Sequence, residues 1–384
     1  MFYYLQQFSY KWGPLRMFGS HLFLLCLGAA LAAFAILFLL PRFYNFLPRD
    51  RGRANVADSA KSAGKPTGAG RFILYLTLPA LALVLPFDDL SAQFAKAFVI
   101  PNKQWGVVVC LVAAMLTGWL DDKSEKPWGR LRKGALDAVV CVATAFALCG
   151  FGREAVIWLP FTKEVLTVPC WAYIMIAAPI LWFTMNATNC SDGVDGLAGS
   201  LTLLTLFTLA IFLYVVVGHE KISEYLLVPH NIEGARWAIL TVTVGGAVAG
   251  YLWHNAEPSA VLMGDAGSRF LGLLVGVAAL ACGNPFLVFV VAPIVLVNGG
   301  TGLFKILLLK TLAKLGFDIR NPAQNDSPET EPHPLVKILH SVRFPLHDHF
   351  KRKHKWSNAQ VLMRFILIQA LLMPILLVLF LKIR

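Results

Sequence analysis

Charged residues are scarce in this chain. Asp, Glu, Lys and Arg together make up only 15% of its 384 residues, 57% are hydrophobic, and the mean hydropathy is +0.64. Ordinary soluble domains carry about 25% charged residues. This shortage of charge excludes an ordinary soluble globular protein and indicates an integral membrane protein.

Several other features are missing as well. The seven cysteines are odd in number, show no CxxC spacing and lie mostly inside apolar runs, which favours buried small side chains over disulfides or zinc. The first apolar run lacks a convincing small-residue cleavage site, so we expect a retained helix instead of a removed signal peptide. No nucleic-acid motif accompanies the net charge of +12, which favours anionic lipids and phosphate substrates as partners.

Ten apolar runs are long enough, or nearly so, to cross a hydrocarbon core of roughly 30 Å. They lie at residues 22–40, 72–86, 106–120, 135–150, 172–185, 197–217, 238–253, 270–282, 286–308 and 361–382. The sequence therefore predicts an all-α polytopic membrane protein, with about ten transmembrane helices in a single domain of residues 1–384.

Lys and Arg residues are concentrated in alternate loops. Because these residues accumulate on the cytoplasmic side of a membrane, the alternation predicts that both termini face outward. The cytoplasmic loops are then residues 41–71, 121–134, 186–196, 254–269 and 310–360.

Aspartates recur in three of these loops. Asp121 and Asp122 end the third run, Asp192 and Asp195 follow the fifth, and Asp265 precedes the eighth. Clustered carboxylates repel one another unless a cation binds among them, which favours a Mg²⁺-dependent enzyme that handles phosphates at a lipid surface. A solvated charge cluster is the alternative for the first pair, and an N-terminal helix cap is the alternative for Asp265.

Two further polar segments carry candidate binding residues. Gly64–Gly70 has three glycines before a helix and can expose backbone N–H groups to a phosphate, although a plain turn is the alternative. Asn186, Asn189 and Asp192 are spaced to share one helical face. Their amide and carboxylate groups suit a nucleobase, a ribose or a metal, with a tight structural turn as the alternative.

A third segment places two histidines on either side of a carboxylate. His347 and His349 flank Asp348 within a basic stretch, an arrangement that suits a proton relay or phosphate contacts. Two histidines without a nearby cysteine argue against a zinc site.

Taken together, these elements resemble the polyprenyl-phosphate N-acetylhexosamine-1-phosphate transferases, and within them the bacterial phospho-N-acetylmuramoyl-pentapeptide-transferases. The matching motifs run in order from about residue 20 to the end. They are Gly64–Gly70 (similar to G-T-P-T-M-G-G), Asp121-Asp122 with Lys133, Asn186–Leu197 (similar to N-A-x-N-L-T-D-G-L-D-G-L), Asn255–Ser268 (similar to N-A-x-P-x-x-x-F-M-G-D-x-G-S) and Pro345–Phe350 (similar to P-x-H-H-H-F).

The resemblance implies a Mg²⁺-dependent phosphoglycosyl transferase of the bacterial inner membrane, with its active site facing the cytoplasm. It would join UDP-N-acetylmuramoyl-pentapeptide to undecaprenyl phosphate, release UMP and form lipid I for peptidoglycan synthesis; a homodimer is left open. Asp265 is expected to coordinate Mg²⁺, and Asp121 to deprotonate or orient the lipid phosphate with support from Asp122. The expected substrate-binding residues are Lys61, Thr67, Lys133, Asn186, Asn189, Asp192, Asp195, Asn255, His347 and His349.

The chain departs from the family pattern at four positions. Lys65 replaces a threonine and Ala69 a glycine in the first motif, and Asp348 replaces the middle histidine of the last. Leu262 stands where the family has an aromatic residue that packs on uracil. The segment at residues 316–343 is also longer than usual.

Two other functions are compatible with parts of the pattern. A sister enzyme would transfer N-acetylglucosamine-1-phosphate to the same lipid, but the His347 and His349 element favours the muramoyl-pentapeptide substrate. A secondary transporter would place its carboxylates near the bilayer midplane. Here they lie at the ends of the apolar runs, which contain almost no internal charge beyond Asp137 and Lys305.

Overall fold

A computed structural model describes residues 1–50, 52, 62–86, 103–124, 128–150, 154–160, 162, 164–319 and 334–382. Helices dominate it, as predicted. They are α1 (His21–Leu39), α2 (Gly70–Val84), α3 (Lys103–Lys123), α4 (Arg130–Leu148), α5 (Cys170–Ser191), α6 (Leu197–Ile211), α7 (Glu220–Tyr225), α8 (Gly234–Asn255), α9 (Gly264–Ala281), α10 (Leu287–Val291), α11 (Pro293–Val295), α12 (Thr301–Lys314), α13 (Pro334–Ser341), α14 (Leu346–His354) and α15 (Asn358–Lys382). Two π-helical turns, Phe212–Val217 and Leu296–Gly300, follow α6 and α11, and 3-10 turns lie at Phe2–Phe8, Gly13–Gly19 and Leu40–Phe46.

All ten predicted apolar runs coincide with helical structure. Within the described residues, eight helical stretches are long and apolar enough to cross a membrane. They are His21–Phe46, Lys103–Lys123, Cys170–Ser191, Leu197–Val217, Gly234–Asn255, Gly264–Ala281, Pro293–Lys314 and Asn358–Lys382. The apolar helix α2 is shorter, with 15 residues. The chain is therefore a multi-pass membrane protein.

A short β-hairpin interrupts the helices and was not part of the all-α expectation. Strand β1 (Ala155–Trp158) pairs antiparallel with β2 (Val165–Val168). The buried Trp158 fastens the hairpin to the end of α9, because its backbone N–H donates to the Gly283 carbonyl at 2.9 Å and its indole N–H to the Cys282 carbonyl at 2.8 Å. Strands of four residues are too short to give a clear alternating pattern, which explains why they were not predicted from the sequence.

Helix α9 lies at the centre of the bundle and is buried on every side, packed between α3 and α5. Small residues permit this close packing, as is usual between membrane helices. A Cβ atom at Gly118 of α3 would collide with the carbonyl of Asp265, and one at Gly70 of α2 would collide with the backbone of Gly267. The beginning of α9 is therefore held directly against α2 and α3.

The polar motifs collect at one end of the bundle. Helices α3, α5 and α8 end there, and α2, α6 and α9 begin there, so the segments Gly64–Gly70, Asp121-Asp122, Gly193–Gly196 and Asn255–Asp265 contact one another. The hairpin and the last residues of α9 lie at the opposite end. The topology thus places the predicted site residues next to one another, at the ends of the apolar helices.

Candidate functional site

Three aspartates meet at the beginning of α9. The Lys133 ammonium lies between two of them: it forms an ion pair with the Asp121 carboxylate and lies 3.1 Å from Oδ2 of Asp265. Asp121 also accepts a hydrogen bond from the backbone N–H of Trp128 at 2.9 Å. Asp121 is only 7% exposed and Asp265 only 8%, so these carboxylates are not a solvated charge cluster.

Asp122 has a different role from its neighbour. Its two carboxylate oxygens accept hydrogen bonds from the backbone N–H groups of Asp265 and Ala266, at 3.0 and 2.9 Å. These are free N–H groups of the first turn of α9, so Asp122 caps this helix from α3. The capping alternative for Asp265 is wrong, because Met263 occupies the N-cap position and Asp265 lies one residue inside the helix, with its carboxylate directed at Lys133.

A buried ion pair supports Asp265 and was not predicted from the sequence. Arg269, one turn further along α9, lies 2.9 Å from Asp137 and 3.5 Å from Asp265, measured from guanidinium nitrogen to carboxylate oxygen. Asn186 donates to Asp137 at 3.5 Å and to the Trp182 carbonyl at 2.9 Å, so it belongs to this network. The sequence did offer one signal for this network, because Asp137 lies inside an apolar run and charged residues are retained in such runs mainly for function.

The carboxylate oxygens at this site are ligands of the kind that Mg²⁺ takes in proteins. Among the described residues, no group of three or more His, Cys, Asp or Glu side chains is arranged to hold a metal ion. However, Asp121 and Asp265 share one cation, the Lys133 ammonium, in a buried position. Mg²⁺ commonly takes one or two protein carboxylates and completes its shell with water and substrate phosphates. The Asp121 and Asp265 carboxylates therefore fit a Mg²⁺ ion that binds together with a phosphate. The Asp122 carboxylate already accepts two backbone hydrogen bonds from α9.

A second cluster connects three motifs through Lys65. The Lys65 ammonium donates to the Ser259 hydroxyl at 2.9 Å and lies 3.5 Å from Oδ2 of Asp195. The same Asp195 oxygen accepts the backbone N–H of Ser259 at 3.0 Å. Lys65, which replaces the family's threonine in the first motif, therefore joins this motif to the Asn186–Leu197 and Asn255–Ser268 motifs.

The buried Asn255 amide holds two loops together. Its Oδ1 accepts the backbone N–H of Gly196 at 2.8 Å, and its Nδ2 donates to the Val261 carbonyl at 2.9 Å. Leu262, at the position of the family's aromatic residue, donates its backbone N–H to the Pro66 carbonyl at 2.8 Å. Asn255 therefore fixes the shape of these loops, whatever contact it makes with a substrate.

The remaining predicted substrate-binding residues lie around these loops. Helix α5 ends at Ser191, so Asp192 lies just beyond it and does not share a regular helical face with Asn186 and Asn189. Asn189 and Thr67 are both partly buried at this end of the bundle. Lys61 lies outside the described residues.

His347 is buried near the beginning of α14. Its backbone N–H donates to Oδ1 of Asn298 at 3.0 Å, and its ring Nδ1 lies 3.2 Å from the same oxygen. Burial lowers the pKa of His347 to about 4, and the positive charge of Lys351 adds to this effect. His347 is therefore a neutral imidazole at physiological pH. Asn298, a partner that sequence reasoning missed, lies in the π-helical turn Leu296–Gly300.

His349 lies apart from His347, although both belong to one motif. Its Nδ1 accepts the backbone N–H of Arg343 at 3.2 Å. It lines a basic cavity of about 350 Å³ together with Ser341, Arg343, Arg352 and Lys353. Partial burial lowers the pKa of His349, and the positive charges of Lys353, His354 and Arg343 lower it further. The two histidines therefore occupy different environments.

Comparisons with known proteins agree with the motifs. The family model described as glycosyl transferase family 4 matches residues 104–283. The phospho-N-acetylmuramoyl-pentapeptide-transferase of Treponema pallidum is 41% identical over 363 residues, which cover 94% of this chain and 90% of the relative. The transferases of that name from Wolinella succinogenes and Helicobacter pylori are 27% and 25% identical, over 93% and 94% of this chain and 94% and 95% of their own lengths. The chain therefore belongs to the phospho-N-acetylmuramoyl-pentapeptide-transferase family, as its motifs predicted.

Proposed function

We propose that this protein transfers phospho-N-acetylmuramoyl-pentapeptide from UDP-N-acetylmuramoyl-pentapeptide to undecaprenyl phosphate, releasing UMP and forming lipid I. The near full-length identity of 41% to a transferase of that name carries this proposal. The geometry supports it, because two carboxylates and an ammonium group converge among the polar loops at one end of the apolar helices.

The reaction brings two anions together. An oxygen of the lipid phosphate attacks the β-phosphorus of the nucleotide sugar, and the bond from that phosphorus to the UMP oxygen breaks, leaving its electron pair on UMP. Positive charge near both phosphates lowers the barrier to this approach. Lys133 and Arg269 supply two cations within 3.5 Å of Asp265. In this proposal Lys133 binds a phosphate oxygen of the substrate.

Asp121 and Asp265 would hold the Mg²⁺ ion. When bound, Mg²⁺ offsets the repulsion between the phosphates and stabilises the charge on the departing UMP. Asp121 remains the candidate for orienting or deprotonating the lipid phosphate. A phosphate monoester has a second pKa of about 6 and is mostly dianionic near pH 7, so proton removal contributes little. Asp122 acts through the backbone of α9, by holding Asp265 in position.

The loops joined by Lys65 and Asn255 would bind the nucleotide. The family resemblance assigns Thr67, Asn189 and Asp192 to the nucleotide or its pyrophosphate. In this chain the ion pair between Lys65 and Asp195 would hold the loops in shape, and Leu262 would offer an aliphatic contact in place of an aromatic one.

We also propose that ten helices cross the bacterial inner membrane, with both termini outside and the site facing the cytoplasm. The basic residues of the alternate loops support this orientation. Single cysteines at positions 123 and 232, in a cysteine-free background, test it. In intact spheroplasts an impermeant maleimide is expected to label position 232 only. Labelling of position 123 without permeabilisation would contradict the orientation.

A transfer assay tests the activity itself. Purified protein in detergent is given undecaprenyl phosphate and either radiolabelled UDP-N-acetylmuramoyl-pentapeptide or UDP-N-acetylglucosamine, with Mg²⁺ or with EDTA. We expect lipid-linked product from the first nucleotide sugar only, and only with Mg²⁺. Product from UDP-N-acetylglucosamine alone would support the sister enzyme, and full activity in EDTA would refute the metal assignment. Sedimentation of the active fraction would establish whether it is a homodimer.

A further inference from the structure

The π-helical turn Leu296–Gly300 places one amide at the end of the bundle that carries the site. Asn298 in this turn is 1% exposed. The turn is pressed against α5, since a Cβ atom at Gly299 would collide with the Ala187 carbonyl. Single π-helical turns inside α-helices occur frequently at functional sites. Asn298 therefore lies in a backbone feature that often accompanies function.

The orientation of the Asn298 amide follows from its partner. The group that approaches it at 3.0 Å is the backbone N–H of His347, which can only donate. The amide atom facing it must therefore be the oxygen, and that same oxygen lies 3.2 Å from Nδ1 of the imidazole. Because an amide oxygen only accepts, Nδ1 must carry the hydrogen.

The other ring nitrogen of His347 is left as an acceptor. The pKa of the imidazole lies well below 7, so the ring carries one hydrogen only. Nε2 faces the Asn186–Leu197 motif, where a side chain at Gly193 would collide with it. The nearest oxygen of Asp348 is 3.9 Å from Nε2, beyond hydrogen-bond distance. The positive charge of Lys351, one turn further along α14, also disfavours the imidazolium form of this ring.

We propose that Asn298 is a positioning residue that holds His347 in the Nδ1–H tautomer, so that Nε2 accepts a hydrogen bond from a donor group of the nucleotide sugar. This proposal rests on the proposed function for the identity of the substrate. What the amide of Asn298 is shown to contact is His347: its oxygen accepts from the backbone N–H and lies 3.2 Å from Nδ1, while its Nδ2 group has no hydrogen-bond partner among the described residues.

The test compares two substitutions of Asn298 with a matched control. Asn298→Ala removes the acceptor, and Asn298→Asp keeps an acceptor oxygen but adds a negative charge. Asn284→Ala is the control, because Asn284 is also fully buried, accepts a backbone N–H through Oδ1 at 2.8 Å and has an Nδ2 group without a partner. It lies just beyond the end of α9 that is opposite the site.

Nitrogen-15 NMR of labelled histidines reads the tautomer directly, with His347→Ala assigning the signal. We expect wild type and Asn298→Asp to show Nδ1–H, and Asn298→Ala to lose this preference. The kcat/KM of Asn298→Ala should fall at least tenfold relative to wild type, whereas adding Asn298→Ala to His347→Ala should cause no further loss. In Asn298→Asp the acid limb of the kcat/KM profile should move to higher pH, since the new charge favours the imidazolium.

Several results would overturn the proposal. They are an Nε2–H signal in wild type, an unchanged tautomer in Asn298→Ala, or a loss from Asn298→Ala that persists in the His347→Ala background. A tenfold loss in Asn284→Ala would show a general packing effect instead. If wild type transfers neither nucleotide sugar, the proposed function fails, and the NMR result still reports on the tautomer.

Discussion

The cap that Asp122 supplies to α9 leads to a quantitative prediction. Two backbone N–H groups, from Asp265 and Ala266, donate to its two carboxylate oxygens. An asparagine at this position offers one oxygen and one NH₂ group, so one of the two N–H groups loses its acceptor. An unsatisfied buried donor costs about 1–3 kcal/mol, and loss of a helix cap costs about 0.5–2 kcal/mol. We expect Asp122→Asn to lower the free energy of unfolding by about 2 kcal/mol.

Activity should fall together with stability in this variant. Because the capped turn carries Asp265, its displacement is expected to remove at least ~2.7 kcal/mol of transition-state stabilisation, about a hundredfold in rate. Thermal unfolding in detergent and the transfer assay measure the two effects. Asp265→Asn is the comparison for activity, because its side chain makes no cap but pairs with Lys133 and Arg269. An Asp122→Asn protein that unfolds at the wild-type temperature but loses transfer would refute the capping role and return Asp122 to direct chemistry.

Three further predictions concern the same end of the molecule. Asp265→Asn should abolish transfer while the protein still inserts into the membrane; activity above one third of wild type would contradict its metal role. Lys133→Met removes the ammonium that Asp121 and Asp265 share, so Mg²⁺ should bind between them at a lower half-saturating concentration. Because the ammonium would also bind a substrate phosphate, kcat should drop at least tenfold. An unchanged Mg²⁺ titration would contradict this. His347 has a pKa of about 4 when folded and about 6.5 when unfolded. Below pH 6.5 the unfolded chain takes up a proton that the folded protein does not, so the free energy of unfolding falls by about 3 kcal/mol as the pH drops from 6.5 to 4. The unfolding midpoint of wild type should therefore drop more between pH 7 and 4.5 than that of His347→Gln, and equal drops would argue against a buried neutral ring.

The helical framework was predictable because the membrane leaves few choices. An apolar run that crosses a bilayer must satisfy its backbone polar groups internally, which in a single segment requires a helix. The ten predicted runs accordingly coincide with helical structure. The motifs were also sufficient to identify the family, since their residue types and order are preserved even where Lys65 or Asp348 departs from the pattern.

The division of labour among the aspartates was not predictable. Adjacent residues on a helix point about 100° apart, so the pair Asp121 and Asp122 cannot both face the same partner. Which of them caps α9 and which meets Lys133 depends on how α3 packs against α9, and small residues such as Gly118 permit that packing.

Sequence alone therefore determined the membrane class, the helices and the family, because these follow from hydrophobicity along the chain and from short local motifs. Tertiary structure alone decided the partners: Arg269 with Asp137, Lys65 with Asp195, and Asn298 with His347. The members of these pairs lie between 49 and 132 positions apart. Side chains so far apart in sequence meet only when the helices have packed, and no local pattern records which of them will face each other.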